Sequence, residues 1–281
     1  MKKICMIINR DKDPDDSIRK ELQDYLRGLG VESICVEMEE LAGLKAENME
    51  FILALGGDGT FIRAARAVLG KNIPIAGYNI GTLGFLAEID RNNRDVLMKR
   101  LVDGQYRVET RMMLEGRLYR EENGRYEPSG IGIALNDIAI HRVSNPHILQ
   151  MEIYVNGASL TTYNADGTVI ASPTGSTAYN LSAGGPIVDP RAKLMIITPI
   201  AAHTLNSRSI VLSAEDEIEI HLAKRNVNDR PQAQILFDGN ETYSIDGHYK
   251  LAIRRSQYET KVVKIDDTSF LEVVRRKMTS T

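Results

Sequence analysis

Hydrophobic and polar positions follow two different patterns along the chain, and the change falls near residue 105. Before it, short apolar runs that favour β-strands alternate with segments whose apolar residues recur at helical spacing. Strands are expected over 3–9, 33–37, 51–55 and 73–78. Helices are expected over 18–29, 61–69 and 92–101. This alternation is typical of a parallel sheet covered by helices.

After residue 105 the pattern becomes β-rich, with short alternating segments separated by turn residues. Strands are expected over 111–119, 133–141, 151–155, 168–171, 196–198, 217–222, 233–237 and 249–254. A hairpin loop is expected over 121–129 and a last helix over 269–277. We therefore expect an α/β protein: a parallel-sheet amino-terminal domain with helices, 1–105, and a β-rich, sandwich-like carboxyl-terminal domain, 106–261. Residues 262–281 are a candidate to pack back onto the first domain, which periodicity alone does not decide.

Charge and composition narrow the range of partners. The 281 residues carry a formal net charge of −3, without the basic surplus that tracks a nucleic-acid backbone. The first apolar run ends after five residues at Asn9, too short for a membrane span or a secretory signal. Cys5 and Cys35, the two cysteines, lack metal-ligand spacing and are typical of reduced thiols. A cytoplasmic protein that binds neither nucleic acid nor membrane is expected.

A glycine-rich turn, Gly56-Gly57-Asp58-Gly59-Thr60, directly follows the continuously apolar run 51–55. It would lie at the carboxyl edge of the sheet, where open α/β folds bind ligands. Glycines let backbone N–H groups approach a phosphate closely, but Asp58 would repel one. The functional interpretation is that Asp58 faces a hydroxyl or a metal ion and accepts a proton during phosphoryl transfer. The alternative is that Asp58 forms the turn or caps the next helix.

Small polar residues cluster a second time, over 164–167, 172–180 and 182–186. Ser and Thr hydroxyls and glycine amides bind phosphate and ribose oxygens, and Tyr179 adds a flat face or a hydroxyl. The alternative is a hydroxyl-rich loop between strands. Asn136-Asp137 interrupts the apolar run 134–140, where a functional and a structural role are equally open. The Rossmann fingerprint, the P-loop and the Gly-x-Ser-x-Gly elbow are absent from the sequence.

Together these motifs resemble the NAD kinase family. Gly-Gly-Asp-Gly-Thr alone is also similar to diacylglycerol, sphingosine and phosphofructo kinases, whereas the stretch 172–179 is much more particular to NAD kinases. Weaker similarities lie in 81–85, 198–203 and 237–239. The resemblance implies a two-domain kinase with its active site between the domains. It would use ATP with Mg²⁺ to phosphorylate the 2′-hydroxyl of the adenosine ribose of NAD, giving NADP, and no metal-ligating residue is assigned.

The resemblance also implies roles for individual residues. Asp58 is similar to the family's base for the 2′-hydroxyl, and Gly56, Gly57 and Thr60 complete the phosphate turn. A larger set is similar to the NAD-binding residues of the family: Gly59, Phe85, Asn136, Asp137, Asp166, Thr177, Ala178, Tyr179, Ser182 and Ala201. Of these, Asp166 and Ala201 match positions that the family often completes across a subunit interface. This implies a homo-oligomer, a tetramer or a dimer.

Three positions depart from the family pattern. Asp137 stands where Glu is more frequent, Ser172 where Thr is more usual, and Asn164 where some members have a basic residue. The sequence leaves open whether ATP or polyphosphate is the donor and whether NAD or NADH is the acceptor. Two competing functions are a lipid kinase, which would share only the glycine-rich turn, and a non-catalytic NAD sensor, which would keep the pocket without Asp58.

Overall fold

The computed structural model describes residues 3–8, 10–43, 49–81, 84–143, 148–203, 207–223 and 232–279. The chain divides into two compact units: residues 1–111 with 259–281, and residues 112–258. Two long strands, β5 (Arg107–Glu122) and β16 (Tyr249–Lys264), contribute residues to both units. In the described part of the chain, no helix has the length and apolar character needed to cross a membrane.

The first unit is built on a parallel sheet. Its strands are β1 (Lys3–Ile8), β2 (Glu32–Val36), β3 (Phe51–Gly56) and β4 (Ile75–Asn79). They are ordered β2-β1-β3-β4, and the end of β16 pairs in parallel with β4 through Val262 and Ile75. All six residues of β3 are buried, as expected for a strand covered on both faces.

Helices cover this sheet with their apolar faces. They are α1 (Ser17–Gly28), α2 (Asp58–Ala67) and α3 (Arg94–Val102). A further helix, α5 (Phe270–Thr279), belongs to the same unit but has no buried residue. In α1 the residues that recur at helical spacing, Ile18, Leu22 and Leu26, are buried in the same core as Phe51 and Leu53 of β3. The predicted alternation of strands and helices is therefore confirmed in this unit.

The second unit consists almost entirely of antiparallel strands. Besides parts of β5 and β16 they are β6 (Arg125–Ala134), β7 (Asp137–Arg142), β8 (Leu149–Val155), β9 (Ala158–Ala165), β10 (Gly167–Ala171), β11 (Leu194–Ile200), β12 (Ile210–Ser213), β13 (Ile218–Leu222), β14 (Gln232–Phe237) and β15 (Glu241–Asp246). Its described part has one α-helix, the single turn α4 (Tyr179–Ser182), which follows a short 3₁₀ helix, Thr174–Thr177.

Two sheets of this unit share one core. One has the order β12-β11-β10-β7-β14-β15, and the other joins β16, β13, β8 and β9, with β5 and β6 attached. Alternate residues of both sheets, such as Ile138 and Ile140 of β7 and Ile218 and Ile220 of β13, enter the same cluster. Residues of one parity face this core because successive side chains of a strand point to opposite faces. The predicted fold class, with its β-rich second part, is confirmed.

Asn-Gly turns explain why several strand limits differ from expectation. Asn123 and Gly124 have φ of 52° and 75°, so two residues suffice to close the hairpin of β5 and β6. The predicted loop over 121–129 was too long, because its polar residues belong to exposed ends of the strands. Asn156 and Gly157 form a similar turn that leads to β9, a strand the sequence pattern missed.

The single strand predicted over 133–141 is interrupted in the structure. β6 ends at Ala134 and β7 begins at Asp137. Between them, the backbone N–H groups of Leu135 and Asn136 donate hydrogen bonds to the side chain of Asp238 instead of to a neighbouring strand. Apolar residues flank this break on both sides, and the polar pair Asn136-Asp137 was the only sign of it in the sequence.

Candidate functional site

The glycine-rich turn of the first unit lies between β3 and α2, at the carboxyl edge of the parallel sheet. A Cβ atom at Gly56 would lie 2.2 Å from Oγ1 of Thr60, so the close approach of these two residues requires glycine. Gly57 precedes α2 with an extended backbone (φ −115°, ψ −169°) and makes no side-chain cap. Gly59 is exposed and has open space where a side chain would stand. No side chain caps the start of α2, although the N–H of Thr60 donates to the carbonyl of Gly57 at 3.0 Å, and an uncapped helix start can bind an anion.

Two backbone N–H groups hold the carboxylate of Asp58. The N–H of Phe85 donates to Oδ2 at 2.8 Å, and the N–H of Leu86 donates to Oδ1 at 3.1 Å. A Cβ atom at Gly84 would stand 1.9 Å from Oδ1, so this carboxylate occupies the space that any larger residue at 84 would need. Asp58 therefore joins the turn after β3 to the loop after β4. It does not cap α2, which is the structural role that the sequence had left open.

Phe85 is fixed from the side of the last helix. Its ring lies 6.5 Å from the ring of Phe270, and Nζ of Lys277 stands 4.7 Å from its centroid. Phe85 also lines a small cavity of about 110 Å³ in the first unit, beside the buried ion pair of Glu88 and Lys264. The loop that binds Asp58 therefore contacts Asp58 through its backbone and the last helix through the ring of Phe85.

The second unit contains a cavity of about 330 Å³, a volume in the range of small-molecule sites. Nine residues line it: Asn136, Asp137, Ala139, His141, Ala178, Tyr179, Leu236, Asp238 and Gly239. They come from β7, from the loop before α4 and from the end of β14. Two sequence motifs that lie about forty residues apart, Asn136-Asp137 and the hydroxyl-rich stretch, therefore meet in one cavity.

The hydroxyl-rich stretch packs directly on the residues before β7. The N–H of Ser172 donates to the carbonyl of Asn136 at 2.8 Å, and its hydroxyl donates to the carbonyl of Leu135 at 2.5 Å. A Cβ atom at Gly175 would lie 2.0 Å from the carbonyl oxygen of Asn136, so only glycine permits this contact. These contacts place Ala178 and Tyr179 against the cavity.

Two carboxyl groups face this cavity. Asp238, which is partly buried, accepts hydrogen bonds from the N–H groups of Leu135 at 2.9 Å and Asn136 at 2.7 Å, and such charge-assisted bonds stabilise its carboxylate. Asp137 is 6% exposed, and the N–H of Tyr179 bonds to its carboxyl. Burial, and secondly the charge of Asp238, raise the pKa of Asp137 to about 7. Asp137 can therefore be a donor or an acceptor near neutral pH.

A stacked pair of rings forms another part of the wall. The rings of His141 and Tyr179 are 5.2 Å apart and inclined by 23°. Burial lowers the pKa of His141, so the neutral imidazole is favoured. A flat neutral ring pair beside two carboxyl groups offers both stacking and hydrogen bonding to a nucleoside.

Comparison with known proteins gives the family. Residues 36–106 match the ATP-NAD kinase N-terminal domain, and residues 135–265 match the ATP-NAD kinase C-terminal domain. The chain is 37% identical to the NAD kinase of Lachnoclostridium phytofermentans and 40% identical to that of Agathobacter rectalis, with 99% of each chain covered in both cases. The chain belongs to the NAD kinase family.

Solved structures agree with this membership in the NAD kinase family. An NAD kinase from Archaeoglobus fulgidus in complex with ATP has a TM-score of 0.78 at 26% identity, with 99% of each chain covered. Yeast NADH kinase complexed with NADH has a TM-score of 0.80 over the whole of this chain and 89% of its own. At 22% identity, the yeast enzyme shows the shared fold alone.

The residues that NAD kinase similarity singled out fall into three groups. Asn136, Asp137, Ala178 and Tyr179 line the cavity of the second unit. Gly56, Gly57, Asp58, Gly59, Thr60 and Phe85 lie in the two loops at the edge of the sheet in the first unit. Thr177, Ser182, Asp166 and Ala201 are not among the residues that line the cavity.

This last group has other surroundings. Thr177 donates from its hydroxyl to the carbonyl of Thr174, and Ser182 is exposed at the end of α4. Asp166 forms an ion pair with Arg142, with 3.0 Å between Oδ1 and Nε. Ala201 is exposed and has a φ of 47°, a left-handed conformation that is uncommon for alanine. Such an outlier is a reason to look for function at this position.

Sequence reasoning assigned no role to two residues that the geometry makes important. Asp238 belongs to the Phe237-Asp238-Gly239 stretch, where φ of 52° at Asp238 and 69° at Gly239 show that the chain turns. Gly84 belongs to the loop 81–85, whose glycines were noted without a role. In both cases an Asp or Gly in a turn was the visible signal, but its contact is with a residue far along the chain.

Proposed function

We propose that the protein transfers the γ-phosphoryl group of ATP to the 2′-hydroxyl of the adenosine ribose of NAD, giving NADP and ADP. Membership of the NAD kinase family supports this reaction. The observation that carries it is the cavity in which Asn136 and Asp137 stand beside Tyr179. An amide and a carboxyl group suit the vicinal hydroxyls of a ribose, and the Tyr179 ring suits a base.

Asp58 is proposed as the general base. The 2′-oxygen forms a bond to the γ-phosphorus, the bond from that phosphorus to the β–γ bridging oxygen breaks, and the hydroxyl proton passes to the carboxylate. Each oxygen of Asp58 accepts one backbone N–H, which leaves lone pairs for that proton. The two hydrogen bonds fix the direction of the carboxylate, and orientation accounts for much of the acceleration in phosphoryl transfer.

Mg²⁺ is proposed to enter with the nucleotide. Among the residues that the structure describes, no group of three His, Cys, Asp or Glu side chains is placed to hold a metal ion. The phosphate oxygens of ATP are natural ligands for this ion. When bound, the ion neutralises charge on the donor phosphates.

A homo-oligomer, a tetramer or a dimer, completes the proposal. The proposal is supported by the similarity of Asp166 and Ala201 to positions that the family often completes across a subunit interface, and by the exposure of Ala201. Activity should then fall on dilution in parallel with dissociation seen by sedimentation. A fully active monomer would refute the shared site without refuting the kinase. A cytoplasmic location rests on the free thiols of Cys5 and Cys35.

The test is an assay of NADP formation from NAD and ATP with Mg²⁺. Diacylglycerol and sphingosine serve as competing acceptors, NADH as the second dinucleotide, and polyphosphate as the second donor. We expect phosphate from ATP to appear in NADP and not in lipid. Product in the lipid fraction with none in NADP would replace the proposal by a lipid kinase, and NAD binding without any transfer would replace it by a sensor.

A further inference from the structure

Lys12 lies where three loops of the first unit meet. It ends a short 3₁₀ helix, Arg10–Lys12, that follows β1, and β1, β3 and β4 are neighbours in the parallel sheet. A Cβ atom at Gly57, after β3, would lie 3.5 Å from Nζ of Lys12, and one at Gly81, after β4, would lie 3.3 Å from it. The ammonium group therefore stands over the backbone of both glycines.

The backbone does not require glycine at these two positions. Gly57 has an extended conformation that any residue adopts, and Gly81 is outside the left-handed region. A Cβ atom at Gly81 would approach Nζ of Lys12 closely, and one at Gly57 would touch it. The amide of Gly81 is also fixed, because its N–H donates to Oδ1 of Asn79 at 2.9 Å. The two glycines thus form an open surface with one cation at its side.

The charge of Lys12 is not used within the described part of the chain, where no hydrogen bond or ion pair involves its ammonium group. Other basic residues nearby are paired: Arg10 with Glu37, and Arg19 with Asp16. Solvation alone would account for the exposure of Lys12, but it would not account for the position of its amine beside both Gly57 and Gly81. A lysine at such a place acts as a point charge for phosphate.

We propose that Lys12 binds the triphosphate of the nucleotide donor above Gly57 and Gly81. This inference rests on the proposed function, since it supplies a cation to the donor of that reaction. The ammonium group would contact phosphate oxygens and offset the negative charge that gathers on the leaving diphosphate. Lys12 is not among the residues assigned to the glycine-rich turn or to the dinucleotide site, so its role can be tested separately.

The experiment compares Lys12→Met with Lys20→Met in the full-length protein. Lys20 is also exposed and nearby, on α1, and its loss changes the net charge equally. We expect Lys12→Met to weaken binding of ATP–Mg²⁺ by about 10–100-fold, because a charge-assisted hydrogen bond is lost. Binding of adenosine and of NAD should change less than twofold. Lys12→Arg should recover part of the affinity for ATP. Calorimetric titration measures all three ligands.

Either of two results would overturn the inference: an equal affinity for ATP in the two methionine variants, or a loss of affinity for NAD as large as the loss of affinity for ATP. A Lys12-dependent affinity for ATP in a protein that forms no NADP would uphold the inference while the proposed reaction fails. Since Lys12 has no partner in the described chain, Lys12→Met should unfold at the same temperature as Lys20→Met. If Lys12→Met nevertheless fails to fold, Lys12→Gln and Lys12→Arg provide the same comparison.

Discussion

Replacement of Asp58 by Asn removes the proposed base while nearly preserving its shape. An amide cannot take the ribose proton, so kcat should fall by about 10²–10⁴-fold, the usual contribution of general-base catalysis. The affinity for NAD should change far less. The structure adds a second effect. Asn keeps one oxygen for the N–H of Phe85 or Leu86 but turns its own NH₂ toward the other, which leaves one donor unpaired. This costs about 1–3 kcal/mol of stability.

The two effects are separated by a matched variant, Asp13→Asn. Asp13 is buried in the same unit, and its two oxygens accept the N–H groups of Ile18 at 2.9 Å and Arg19 at 3.0 Å. It thus makes the same kind of contact as Asp58 without a proposed part in the chemistry. Asp13→Asn should lose a similar amount of stability in denaturant titrations. Its kcat at saturating ATP and NAD should stay within a few-fold of the parent protein.

The result that would refute the reasoning is a near-normal kcat in Asp58→Asn together with a stability loss like that of Asp13→Asn. Asp58 would then only fasten the loop after β4. Asp166→Asn gives the other comparison, since a carboxylate that binds substrate without chemistry mainly raises KM. If Asp166→Asn lost kcat while Asp58→Asn kept it, the base would be assigned to the wrong aspartate.

Three further outcomes are expected. Between about pH 5 and pH 7, the unfolding free energy of Asp137→Asn should rise by about 2–3 kcal/mol relative to the parent. The reason is that the pKa of Asp137 rises from 3.8 to about 7 on folding, which destabilises the parent as pH increases through this range. Denaturant titrations at several pH values measure this difference, and a difference that does not change with pH contradicts the prediction. Asn136→Ala should weaken NAD binding by about 1–3 kcal/mol in calorimetry, and an unchanged Kd would return Asn136 to a structural role. Gly84→Ala should lower kcat because its methyl group displaces the Asp58 carboxylate, whereas Gly43→Ala, which meets nothing within 4 Å, should not.

The architecture of the first unit could be predicted because its signals are local. A strand buried on both faces, such as β3, is continuously apolar, and α1 presents Ile18, Leu22 and Leu26 at helical spacing. In the second unit the same procedure found most strands but missed β9, β12, β15 and most of β6. The exposed parts of β6, β9 and β15 carry mainly polar residues like those of loops, and β12 has only four residues. Cross-strand pairing, which a single sequence does not reveal, decides their structure.

The site residues that could be predicted are those whose side chains have a recognisable chemical function. Asp58 in a glycine-rich turn and Asn136-Asp137 in an apolar run are polar groups that need an explanation wherever the fold places them. Gly84 has no side chain that would indicate a role. Its importance arises because β3 and β4 are adjacent and parallel, which sets the loop after one strand beside the turn after the other. A contact across 27 positions of sequence follows from the sheet and not from either motif.

The same reasoning explains Asp137. About a hundred positions separate it from Asp238, yet β14 pairs with β7 so that Phe237 stands opposite Ile138. Asp238, the residue after β14, then accepts hydrogen bonds from the backbone N–H groups before β7. Burial and, secondly, the charge of Asp238 raise the pKa of Asp137. Asp137 and Asp238 repel each other when both are ionised. In the ligand-free protein this repulsion favours the protonated form of Asp137. Ribose hydroxyls that donate to Asp137 would favour its ionised form instead. NAD binding should therefore release a proton near neutral pH, and calorimetry in buffers of different ionisation enthalpy would detect it. A binding enthalpy independent of the buffer would exclude Asp137 as the group that accepts the ribose hydroxyls.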